Sequence, residues 1–119
     1  MRSTLVLGAS LKANRYSHLA VERLVEKGIE TTAYGLRPGS ILGVEVKTNF
    51  DDFHDIHTIS LYLNPANQKA YYQTIIDLKP KRVIFNPGTE NKEFSDLLRA
   101  NGIQAEEACT LVLLATGQY

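Results

Sequence analysis

Ser3-Thr4-Leu5-Val6-Leu7-Gly8-Ala9-Ser10-Leu11-Lys12-Ala13-Asn14-Arg15-Tyr16-Ser17 is the stretch whose reading decides the fold. An apolar run without alternation suits a strand covered on both faces, and Gly8 ends it. From Ser17 onward Leu19, Ala20, Leu24 and Val25 recur at helical spacing with charged residues between them, until Gly28 stops the pattern. A second strand follows over Ile29 to Tyr34, rich in β-branched residues and closed by Gly35 and Arg37-Pro38-Gly39. A strand, a helix and a strand in this order form the opening unit of a parallel sheet.

The alternation continues downstream. Ile41-Leu42-Gly43-Val44-Glu45-Val46 is too short and too broken by glycine for a helix and reads as a small extended excursion. Thr58 to Leu63 is the third strand, ended by Asn64-Pro65, and Tyr71, Tyr72, Ile75, Ile76 and Leu78 mark a helical face that Pro80 terminates. Arg82 to Phe85 is the fourth strand, stopped by Asn86-Pro87-Gly88. Asn91 to Asn101 is a helix with Gly102 at its C-terminal cap, Ile103 to Glu106 is the fifth strand, and Thr110 to Ala115 is a closing helix. The expected architecture is α/β: a three-layer Rossmann-like open parallel sheet of about five strands, helices on both faces, as one domain over residues 1–119.

Composition agrees with one soluble globular domain, because 119 residues with 44% hydrophobic and 22% charged content bury a single core. Thirteen Lys and Arg balance thirteen Asp and Glu, so no overall field draws nucleic acid or an anionic membrane to the surface. An anion site must be local. The single cysteine, Cys109, excludes an internal disulfide, the start leaves no room for a signal-peptide core, and no apolar run reaches membrane-spanning length. A cytoplasmic setting is the expectation. A homodimer is an open option because two-fold assemblies are common.

In open α/β sheets ligands occupy the crevice outside the carboxyl ends of the strands, so the loops that follow strands are the places to look. The loop from Gly8 to Ser17 aims backbone N–H groups and a helix N-terminus at one point, and Lys12 and Arg15 add charge there. Ser10 and Ser17 offer hydroxyls either to phosphate oxygens or to the helix as caps, and both uses stay open. The dinucleotide fingerprint G-x-G-x-x-G is not met. The second strand ends in Tyr34-Gly35-Leu36-Arg37 without the acid that holds the ribose of NAD, whereas Arg37 suits a phosphorylated ribose such as that of coenzyme A or NADP. Asn64, Asn86 and Thr89 have turn-closing or capping uses as readily as ligand contacts.

These residues together resemble the small stand-alone CoA-binding-domain proteins, relatives of the nucleotide-binding domain of the succinyl-CoA synthetase alpha subunit. The likeness rests on Gly8-Ala9-Ser10 with Arg15-Tyr16-Ser17, the proline loop after the second strand with Ile41-Leu42-Gly43 beyond it, Asn86 to Asn91, and Cys109. The resemblance implies coenzyme A as cofactor, with Gly8, Ala9, Ser10, Lys12, Arg15 and Ser17 near phosphate and further contacts from Tyr34, Pro38, Leu63, Asn64, Gly88 and Asn91. Asn64 stands where many relatives carry arginine, and Asn86-Pro87 where many have glutamine or leucine.

The expected role is non-catalytic binding of coenzyme A or an acyl-CoA, as a sensor, carrier or accessory module. No serine lies in a nucleophile elbow and no cysteine–histidine pair is recognisable, so no catalytic residue is expected. The alternatives are an NADP- or other nucleotide-dependent enzyme fragment and an interaction subunit with a vestigial cleft. Asp51, Asp52, His54, Asp55 and His57 have metal-ligand chemistry, but they precede the third strand, at the end of the sheet away from the crevice, and read as a solvated turn. Cys109 near bound coenzyme A offers a mixed disulfide, against the commoner use of a lone cysteine as core filling. Among Tyr16, Tyr34 and Tyr62, only Tyr34 follows a strand closely enough to meet a base.

Overall fold

A computed structural model describes residues 2–119. Its seven-stranded sheet has the order β3-β4-β2-β1-β5-β6-β7. The strands are β1 (Thr4–Leu7), β2 (Thr31–Tyr34), β3 (Gly39–Ile41), β4 (Val44–Lys47), β5 (Thr58–Leu61), β6 (Arg82–Phe85) and β7 (Gln104–Glu107). All neighbours pair in parallel except β3 with β4. The helices are α1 (Tyr16–Glu26), α2 (Pro65–Gln68), α3 (Tyr72–Leu78), α4 (Lys92–Ala100) and α5 (Thr110–Ala115), with a 3-10 turn Lys69–Tyr71 between α2 and α3.

The five expected strands are present as β2-β1-β5-β6-β7, and the count of five is corrected to seven. The excursion after the second strand is an antiparallel hairpin whose β4 pairs with β2 and extends the sheet. Its glycine does not break a strand but makes the turn: Leu42 at φ 46° and Gly43 at φ 81° supply the two positive dihedrals that a tight hairpin requires. Leucine is a rare occupant of the first of these positions, so the turn was hidden.

Alternation within the buried strands sorts side chains into two cores. Leu5, Leu7, Ile59, Leu61, Val83 and Phe85 face α3 and α4, where Ile75, Phe94 and Leu98 meet them. Val6, Ala33, Ile41 and Val46 face α1 and α5 and pack on Val21, Leu24 and Leu114. This is the expected three-layer arrangement. At roughly 25 cal/mol per Å² of apolar area withdrawn from water, these two layers supply the main stabilisation.

Asn86 is the centre of a polar network inside the second layer. Asn86 Nδ2 donates to Ser60 Oγ at 3.0 Å and to the Leu61 carbonyl at 2.9 Å, while Asn86 Oδ1 accepts from the Thr110 amide at 2.8 Å. Asn86 therefore pins the start of α5 to the ends of β5 and β6. On the other layer the fully buried Gln68 donates to the carbonyls of Leu63 and Thr89 and accepts from Asn91, joining the loops after β5 and β6.

Candidate functional site

β1 lies between β2 and β5, and the chain leaves it in opposite directions to reach them, so the sheet has its switch point at the end of β1. The amides of Gly8 and Ala9 both donate to the Tyr34 carbonyl, at 3.0 and 2.8 Å. Gly8 sits at φ 97°, and a Cβ there would lie 3.2 Å from the Tyr62 carbonyl carbon and 3.3 Å from the Leu63 nitrogen. Only glycine lets the chain turn out of the sheet so close to the β5 loop.

The loop then folds on itself. The Ser10 amide donates to Ser17 Oγ at 3.1 Å, the Lys12 amide to Ser10 Oγ at 3.1 Å, and the Arg15 amide to the Lys12 carbonyl at 3.0 Å. His18 Nδ1 lies 2.9 Å from the Ser10 carbonyl oxygen, which accepts from it. Ser17, left open between phosphate donor and cap, is buried and serves as the acceptor that fixes the loop. Arg15 holds the N-cap position of α1 without a side-chain cap bond, and the first turn contains no acid. The positive end of α1 is thus left without side-chain compensation. Lys12, Arg15 and Arg37 are exposed and form no ion pair among the described residues.

Two hollows flank this loop. The larger, of about 610 Å³, is lined by Gly8 to Lys12, by Tyr34 to Arg37, and by Leu63 and Tyr71. The smaller, of about 340 Å³, is lined by Gly8, Ser10, Lys12, Arg15, Tyr16, Ser17 and Tyr62. Gly8, Ser10 and Lys12 form the wall common to both. In the larger hollow Leu11 lies over Gly39, where a Cβ would come within 2.7 Å of its methyl carbons. Tyr34 stacks on Phe50 at 4.2 Å between centroids and meets Tyr71 edge-on at 5.6 Å. Burial, reinforced by the hydrogen bond to Tyr71, pushes the Tyr34 phenol up to about 12, so it stays neutral near pH 7. Tyr62, in the smaller hollow, has a buried hydroxyl without a hydrogen-bond partner. Its burial likewise raises it to about 12.

Of the residues singled out from sequence, Gly8, Ala9, Ser10, Lys12, Tyr34 and Leu63 line the larger hollow, and Arg15 and Ser17 the smaller. Pro38, Asn64, Gly88 and Asn91 line neither. Pro38 is exposed beyond the β2 turn. Asn64 Oδ1 caps α2 by accepting from the Asn67 amide at 3.0 Å, and Gly88 makes a turn at φ 92°. Asn91 Oδ1 caps α4 through the Phe94 amide at 3.1 Å, while its Nδ2 donates to Gln68 and Tyr72.

Leu11, Gly35, Leu36 and Tyr71 belong to the larger hollow and were missed. Leu36 is 86% exposed between Gly35 and Arg37, and an apolar residue set in a glycine turn after a strand was the available signal. Tyr71 gave none, because its spacing matches the packed face of α3. Cys109 is half-buried at the N-cap of α5. His54 pairs with Asp55, and His57 Nδ1 lies 2.8 Å from Thr58 Oγ1, so the two histidines have separate neighbours.

The parallel order around β1 and the glycine loop at its end define a doubly wound domain with a cleft at the switch point. The sequence matches the model of the CoA binding domain over residues 2–115, and the chain belongs to that family. No curated protein matches it. It is similar to the crystal structure of an uncharacterized protein with 45% identity, covering 100% of this chain and 98% of that one at a TM-score of 0.96. A structure from Thermus thermophilus is 18% identical over 99% of this chain and 91% of that one, with a TM-score of 0.87. A hypothetical protein from Pyrococcus horikoshii is 24% identical over 93% and 80%, with a TM-score of 0.82. The last two likenesses concern the fold. Among the described residues no helix is long and apolar enough to cross a membrane.

Proposed function

We propose that the chain binds coenzyme A or an acyl-CoA non-catalytically, as a sensor, carrier or accessory module of the cytoplasm. The observation that carries this reading is the shared wall of Gly8, Ser10 and Lys12 between two hollows. Coenzyme A has the matching layout: a pyrophosphate in the middle, a phosphorylated adenosine on one side and pantetheine on the other. The pyrophosphate meets the start of α1 with Lys12 and Arg15, and the adenosine takes the larger hollow, where Arg37 faces its ribose phosphate.

The non-catalytic part is supported by how the hydroxyls near the wall are used. Ser10 and Ser17 hold the loop amides, and neither forms the base-paired arrangement of an activated nucleophile. Calorimetric titration with coenzyme A, with NADP, NAD and ATP as competitors, tests the reading. Saturable binding selective for coenzyme A is expected. Preference for NADP, or no binding of any of the four, overturns it.

A further inference from the structure

The aromatic end of the larger hollow carries a hydrogen-bonding pair that phosphate binding does not require. Tyr34 Oη and Tyr71 Oη lie 3.2 Å apart, one at the end of β2 and the other at the end of the 3-10 turn. Phe50 backs the Tyr34 ring and tilts against Tyr71 at 5.8 Å, so three rings fix the two hydroxyls in place. Two phenols hold two hydrogens and four lone pairs, and the bond between them consumes one of each. One O–H donor and three acceptor sites remain for a third party.

The surroundings restrict that party. Leu11, Leu36 and Leu63 make the neighbouring wall apolar, which suits the faces of a planar ring. Adenine combines apolar faces with an edge that offers one acceptor, N1, beside one donor, the 6-amino group. The leftover capacity of the tyrosine pair complements that edge. Resting on the coenzyme A site proposed above, we infer that the Tyr34–Tyr71 hydroxyl pair reads the N1 and 6-amino edge of the adenine, which makes Tyr71 a specificity-determining residue.

The test is titration of the full chain with coenzyme A, with 1,N6-etheno-coenzyme A, whose base edge is bridged, and with 4′-phosphopantetheine, which has no base. The unsubstituted chain should bind the etheno form more than about tenfold more weakly, because the bridge removes both the N1 acceptor and the 6-amino donor. Tyr71→Phe should weaken coenzyme A about tenfold, shrink the difference between it and the etheno form, and leave phosphopantetheine unchanged. Equal affinity of the unsubstituted chain for coenzyme A and its etheno form overturns the inference alone. So does a difference that persists in both Tyr71→Phe and Tyr34→Phe, because bulk then explains it, or an equal loss of phosphopantetheine. If the unsubstituted chain binds no coenzyme A, the proposed function falls and this inference falls with it. Should Tyr71→Phe not fold, the comparison in the unsubstituted chain and in Tyr34→Phe decides.

Discussion

The amide of Ser10 donates to the hydroxyl oxygen of Ser17 over 3.1 Å, tying the exit of β1 to the first turn of α1. Ser17→Ala removes the acceptor and leaves the Ser10 amide without its partner. A stability loss of about 1–2 kcal/mol is expected, together with weaker coenzyme A binding because the loop is no longer fixed. Urea unfolding beside calorimetry checks this. A loss of affinity at unchanged stability would assign the Ser17 hydroxyl to the ligand instead.

Gly35 packs under the same loop, and a Cβ on it would lie 2.3 Å from the Ala9 carbonyl oxygen. Gly35→Ala must displace backbone, so we expect a cost of about 3 kcal/mol and loss of ligand binding. Gly28→Ala is the control. At φ 73° with nothing within 4 Å, it costs about 1 kcal/mol of backbone strain and leaves binding alone. Equal destabilisation by the two would show that the cleft does not depend on this close approach.

Lys12 and Arg15 are exposed cations at the unpaired start of α1. Lys12→Ala and Arg15→Ala should each weaken coenzyme A about tenfold, change stability by less than about 0.5 kcal/mol, and reduce the salt dependence of binding. Titrations at low and high ionic strength read all three. Unchanged affinity in Arg15→Ala removes Arg15 from the site.

His57 makes folding sensitive to acid. Burial first, and then the cations of Arg82, Arg2 and Lys81, hold its imidazole below the ordinary histidine value. Arg82 Nε donates to Thr58 Oγ1 at 2.8 Å, and His57 Nδ1 lies 2.8 Å from the same hydroxyl, which holds the imidazole close to the guanidinium. Below the unfolded pKa of about 6.5 the unfolded chain takes up a proton that the folded chain resists, so stability falls as pH drops through that value. Urea midpoints between pH 7.5 and 5.5 should therefore fall more steeply for the unsubstituted chain than for His57→Gln. Parallel curves would mean that His57 is as easily protonated in the fold as outside it.

Strong local patterns made much of the fold legible. Leu5-Val6-Leu7, Val83-Ile84-Phe85 and the helix stops at Gly28, Pro80 and Gly102 each carry their meaning in a few neighbouring residues. Thr110 to Ala115 is helical over the expected span. The hairpin of β3 and β4 was not legible, because Leu42 occupies a positive-φ position that usually signals itself with asparagine or glycine. Asn64 and Asn91 were ambiguous for another reason: an amide at a strand's end serves equally as a helix cap or a ligand contact, and only its neighbours decide.

The sequence by itself determined that strands and helices alternate, that Gly8 to Ser17 forms a loop at a helix start, and that Lys12 and Arg15 charge it. Those properties depend on periodicity and on the conformational freedom of single residues, which short stretches of chain express alone. Tertiary structure alone decided that Leu36 and Tyr71 share one hollow with that loop, and that Tyr34 and Tyr71 bond across 37 residues. The order of strands brings those side chains together, and that order is set by the burial of both sheet faces at once rather than by any segment that contributes to it.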